Sequence, residues 1–150
     1  MLKYCFANDC PCDEELSCCN AARKGHLDCL RFLFDKVKKR KTRETEKVAA
    51  KVAAQEGQLD ILKHFVEERK ISDDEKAECV LHSMRKGNLD CVKYLVEEAK
   101  APLDDWQYIA HARYFKQTEC LYYLREKGCP EPTDEQCARF VDYMNAIEQQ

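Results

Sequence analysis

Apolar positions along the chain fall at helical spacing, in blocks opened by a glycine. Leu27, Leu30 and Phe32/Leu33 follow Gly25; Leu59, Leu62 and Phe65/Val66 follow Gly57; Leu89, Val92 and Leu95/Val96 follow Gly87. Steps of three and four residues put each set on one helix face. Before each glycine lies a second amphipathic segment with a small residue at one fixed place: Ala21, Ala53, Ser83 and, in a fourth unit, Ala112. A small residue there lets neighbouring backbones approach closely. Glycine ends that helix because it tolerates the left-handed conformation of a tight C-terminus. Next come a polar residue, a leucine and an acid, and the acid falls in the first turn of a second helix, where it suits the helix dipole. Asp28, Asp60, Asp90 and Glu119 recur at steps of 32, 30 and 29 residues. Self-similarity at that period marks a stacked repeat protein, in which no helix pair buries its apolar face alone. The fourth unit keeps Cys120, Leu121, Tyr123 and Leu124 but has Lys116 in place of glycine and Thr118 in place of leucine.

The pattern predicts helices over about 13–24, 27–38, 44–56, 59–69, 73–86, 89–99 and 119–127, with Asp104 and Asp105 opening a further inner helix after Pro102. Ser72 to Glu75 and Thr133 to Gln136 have the form of capping boxes, Ser or Thr followed three residues later by Glu or Gln. The second opens a last helix, to about Ile147, that lacks the repeat core and reads as a C-terminal cap. The expected fold class is all-α, one domain over 1–150 built as a solenoid of antiparallel helix pairs. Its parts are a half repeat or cap (1–12), four repeats (13–43, 44–72, 73–103, 104–132) and the capping helix (133–150). Residues 2–8, LKYCFAN, look like the outer helix of a repeat whose inner helix is absent, as in a capped start or a piece of a longer array. Leu27, Leu59 and Leu89 are expected to lie buried in one row.

The stretches AARKGHLDCLRFL, AAQEGQLDILKHF, SMRKGNLDCVKYL and ARYFKQTECLYYL resemble the ankyrin repeat. The resemblance covers roughly residues 14–128. The tails EKGCPEP and NDCPCDE are similar to a divergent variant found in ankyrin proteins of protists and giant DNA viruses. The family's T-P-L-H opening is missing, its nearest relic being Leu81-His82, and so is the hairpin sequence after the second helix. The hairpins are therefore expected to be short or absent. The resemblance implies a protein–protein interaction module whose binding surface lies just before each glycine, at Arg23, Lys24, Gln55, Glu56, Arg85, Lys86, Tyr114 and Phe115. It also implies a share for the turn leading into each inner helix, at Glu15, Lys47 and Trp106. Trp106 and Tyr114 would either anchor a partner or pack beneath the C-terminal cap.

Composition narrows the remaining classes. Net charge is −3, with 25 basic and 28 acidic residues, a balance that by itself points to neither nucleic acid nor membrane. No apolar run reaches membrane-span length. The 11 cysteines are odd in number, and Cys29, Cys91 and Cys120 share one repeat position, which argues for free thiols in a reducing, cytoplasmic setting. Residues 36–43, KVKKRKTR, carry six basic residues in eight, a solvated helix end or, alternatively, a nuclear-import or polyanion-binding patch. Cys5, Cys10, Cys12, Cys18, Cys19 and His26 form the only dense metal-type cluster, the basis of a second alternative, a metal- or redox-responsive protein. However, they lack paired C-x-x-C arms, and Cys18 and Cys19, adjacent on a helix, face different ways. Cys79 with His82 or His111 is the one Cys–His pairing to weigh as a nucleophile. No phosphate-cradling loop, serine elbow or metalloprotease helix occurs. The expectation is a monomeric, non-catalytic chain with no cofactor, no metal and no small-molecule substrate, taking a protein partner rather than nucleic acid or membrane.

Overall fold

The computed structural model describes residues 13–36 and 42–149. Among them run α1 (Glu14–Lys24), α2 (Leu27–Lys36), α3 (Thr42–Glu56), α4 (Leu59–Glu67), α5 (Asp73–Arg85), α6 (Leu89–Glu97), α7 (Gln107–Tyr114), α8 (Thr118–Glu126) and α9 (Asp134–Glu148). Local chemistry starts these helices where the sequence places it. Asp13 Oδ1 accepts the Leu16 N–H at 3.0 Å. Ser72 with Glu75, and Thr133 with Gln136, close both halves of a capping box. No strand occurs among the described residues, so the architecture is all-α. Lys70 and Lys100, at φ 51° and 56°, turn the chain tightly between repeats where a hairpin would otherwise extend.

Helices α1, α3, α5 and α7 stack side by side as an inner layer, and α2, α4, α6 and α8 form an outer layer behind them. The inner layer packs closely because its contact faces are small. Ala49, Ala50, Ala53 and Ala54 of α3 are all buried, as are Ala21, Ser83 and Ala112 at the equivalent place in the other repeats. Ser83 stays in this apolar layer by donating its hydroxyl to the Cys79 carbonyl at 2.8 Å. The core between the layers is one continuous cluster from Cys18 to Cys129.

Three expectations need correction. The deepest row is not Leu27, Leu59 and Leu89, which are half-buried beside the glycine turn, but the next turn inward: Leu30 and Leu33, Leu62 and Phe65, Val92 and Leu95, and Leu124. Leu89→Ala should accordingly cost less than a fully buried truncation. Helix α7 begins at Gln107, not at Asp104; the Asp105 carboxylate accepts the Gln107 N–H at 2.9 Å and marks the start from just outside it. Helix α3 begins two residues before Glu44. The half repeat 1–12 and residues 37–41 of the basic cluster lie outside the described residues.

Candidate functional site

The inner-helix row is joined from repeat to repeat. Glu56 meets Lys86 Nζ at 2.6 Å, and Lys51 meets Glu78 at 2.7 Å. Gln55 Oε1 lies 3.5 Å from His82 Nδ1, and the Arg85 guanidinium sits over the Phe115 ring at 6.0 Å. A second link is made by the polar residues that follow Gly57 and Gly87. Gln58 Nε2 donates to the Arg23 carbonyl at 3.1 Å, and Asn88 Nδ2 donates to the carbonyls of Ala54 and Gln55 at 3.0 and 2.7 Å. Each such amide satisfies carbonyls that the end of an inner helix leaves without an intrahelical partner. The structure thus brings Gln55, Glu56, Arg85, Lys86 and Phe115 together, and leaves Arg23 and Lys24 exposed at the other end of the row.

A family model described as ankyrin repeats, in three copies, matches residues 50–135. The chain belongs to the ankyrin-repeat family. No curated protein and no solved structure matches it. The first helix pair, α1 and α2, lies outside the matched span, yet α1 stacks on α3 as the later inner helices stack on one another. Ankyrin repeats are in general protein–protein interaction modules and typically non-catalytic. Among the described residues no helix is long and apolar enough to cross a membrane.

The aromatic end of the ankyrin row is built differently from its middle. Trp106, Tyr114 and Phe115 form a small satellite core with Ala110 of α7 and with Phe140 and Met144 of α9. Phe140 is the hub. Its ring lies edge-on to Trp106 at 6.4 Å, to Tyr114 at 6.1 Å and to His111 at 4.6 Å. The Tyr114 hydroxyl lies 3.1 Å from both Asn145 Oδ1 and Glu148 Oε2. Trp106 and Tyr114 therefore pack against the C-terminal helix, as in the second of the two alternatives, while each keeps a half-exposed side. Of the other turn residues, Glu15 is exposed, and Lys47 lies 3.8 Å from Glu44 and from Glu75. Sequence reading missed the residues that α9 adds, although Phe140, Tyr143, Met144 and Ile147 recur at helical spacing and signal an apolar stripe.

The cysteines and histidines are poorly placed for chemistry. Burial pushes the Cys79 thiol up to about 12 and the Cys91 thiol to about 11, so neither is a thiolate near neutrality. Among the described residues every cysteine is a free thiol, and no group of three or more His, Cys, Asp or Glu could hold a metal ion. Cys5, Cys10 and Cys12 lie outside the described residues.

Burial, with Arg85 and Lys51 nearby, pushes His82 from its ordinary 6.5 down to about 4, and burial also lowers His111. As pH falls past 6.5 the unfolded chain protonates these rings while the folded chain does not, so stability declines with acidification in that window. The depressed carboxyls of Glu68, Glu97 and Glu131 add their losses only below their ordinary 4.5. His82→Gln should therefore flatten the fall in urea midpoint between about pH 6.5 and 4.5. An unchanged slope would place the titration elsewhere.

Proposed function

We propose that this ankyrin chain is a non-catalytic module that docks a protein partner on the exposed side of its inner helices. The proposed surface runs from Arg23 and Lys24 through Gln55 and Glu56 to Arg85, Lys86 and Phe115, and ends against the α9-packed Trp106 and Tyr114. The observation that carries the reading is the chain of inter-repeat links along this row, Glu56 to Lys86 and Arg85 to Phe115. They hold side chains from successive repeats in one fixed array, so a partner meets a pre-organised surface and orders little on binding. Of the basic cluster, Arg43 is already engaged by the buried Glu75, at 2.7 Å, and serves the fold.

The test is to isolate a partner by affinity capture and compare two sets of charge reversals. Lys24→Glu and Lys86→Glu, on the row, should weaken binding at least about tenfold. Lys93→Glu and Glu126→Lys, on the exposed side of the outer helices α6 and α8, should change it less than about twofold. The opposite ranking would move the interface to the outer layer.

A further inference from the structure

Between the inner layer and α9 lies a cleft of about 420 Å³, within the size range of sites that enclose small ligands or a few side chains. Its walls come from three elements: Leu81 of α5, Trp106 at the start of α7, and Phe140, Met144 and Ile147 of α9. At its rim stand Arg85 and Arg139, and no carboxylate lines it, although the chain as a whole is acidic. Arg85 has no ion-pair partner among the described residues. Among the described residues Arg139 meets only Glu135, one turn earlier on its own helix, a pair so exposed that it contributes little and yields readily. Of its lining, Tyr143 and Ile147 are left 62% and 42% exposed, large apolar side chains in water on a helix that buries only Phe140 and Met144.

We infer that this cleft is a docking site for a peptide segment of a partner protein carrying a bulky apolar side chain close in sequence to Asp or Glu. The apolar side chain enters between Trp106 and Ile147, and the carboxylate reaches Arg85 and Arg139. Guanidinium groups bind carboxylates through two parallel hydrogen bonds, which gives orientation as well as attraction. Desolvated Trp, Tyr and Arg are the side chains on which binding energy concentrates. A basic segment would leave both arginines facing like charge and is rejected. The inference rests on the protein-binding reading above and gives it a place and a chemistry that the ankyrin repeats alone do not supply, since half of the cleft belongs to α9.

The probe is an array of short synthetic peptides, each with one Leu or Phe followed at varied distance by Asp or Glu, or by Lys or Arg, titrated against the full chain. Trp106 is the sole tryptophan, so its emission reports occupancy of the cleft directly. Acidic members should bind, shift Trp106 emission and weaken as salt rises. Arg85→Glu and Arg139→Glu, both at exposed positions, should reduce that binding at least about tenfold without changing the circular dichroism spectrum, and should favour the basic members instead. Equal binding of acidic and basic members, unchanged affinity in both arginine variants, or no binding by any member would overturn the inference. If binders instead leave Trp106 emission unchanged and are lost on Lys24→Glu, the cleft fails while the inner-helix surface stands. If they respond only to Lys93→Glu on α6, both fail.

Discussion

Replacing Phe65 by Ala should lower the unfolding free energy by about 3–5 kcal/mol, the range for removing a fully buried aromatic ring. Phe65 is 0% exposed and sits at the junction of the first two described repeats. Its ring meets Phe34 of the preceding repeat edge-on, with centroids 5.8 Å apart, and Arg69 covers the Phe34 ring in turn at 5.1 Å. The alanine variant loses the transfer free energy of the ring and leaves a cavity that helices locked on both sides cannot close. Because each repeat touches only its neighbours, the loss should fall on the α1–α4 half of the stack, where hydrogen exchange should quicken most. Asn20→Ala, at an exposed site on α1, should stay within about 0.5 kcal/mol. Urea unfolding followed by circular dichroism measures both, and equal midpoints would mean that Phe65 is not in the core. Glu97→Ala, also at an exposed site, should cost more than Asn20→Ala. Its carboxylate accepts from the Tyr123 hydroxyl at 3.1 Å and meets Lys127 Nζ at 2.9 Å, tying α6 to α8.

The second large effect is expected at Gly57. Two independent demands meet there. Its φ of 74° is left-handed, and a Cβ would stand 2.9 Å from Asn88 Oδ1 and 3.1 Å from Asn88 Cγ. The Asn88 amide cannot swing aside freely, because it holds the carbonyls of Ala54 and Gln55. Gly57→Ala should thus cost about 1–2 kcal/mol in backbone strain and about a further 1 kcal/mol in weakened inter-repeat bonds. Gly128→Ala has a similar φ of 81° but nothing within 4 Å of the added Cβ, so only the strain should appear. In an Asn88→Ala background the cost of Gly57→Ala should fall to that same strain value, a coupling that a double-mutant cycle measures. Equal costs for Gly57→Ala and Gly128→Ala in the native background would show that the Asn88 link carries no energy.

Much of the ankyrin architecture is written in short-range signals. Ser72 with Glu75 needs four consecutive residues to start α5, and Gly57 needs only its own φ to end α3. The period of the Asp28, Asp60 and Asp90 positions then orders the units. The candidate surface was legible to the same extent, since Arg23, Gln55 and Arg85 occupy one repeat position and a regular stack must align them. Trp106 and Tyr114 share that periodicity with the row, but their contacts come from α9, which follows no repeat pattern, so their covered state was only one of two alternatives.

The residues by themselves determined the helix pairs, the stacking period, the small-residue inner layer and the absence of hairpin sequence, because propensity, capping and periodic burial act within a few residues of chain. Tertiary structure decided what depends on two distant elements meeting. It made Leu33, Phe65, Leu95 and Leu124 part of the deepest core instead of the leucines beside the glycine turns, since depth is set by the layer stacked behind each helix. Gln58 and Asn88 became clamps on the preceding repeat only once stacking brought free helix-end carbonyls within reach. Laying α9 across α7 turned the aromatic end of the row into a packed cap with an arginine-rimmed cleft, because Phe140 finds apolar rings to bury against only where Trp106, His111 and Tyr114 converge.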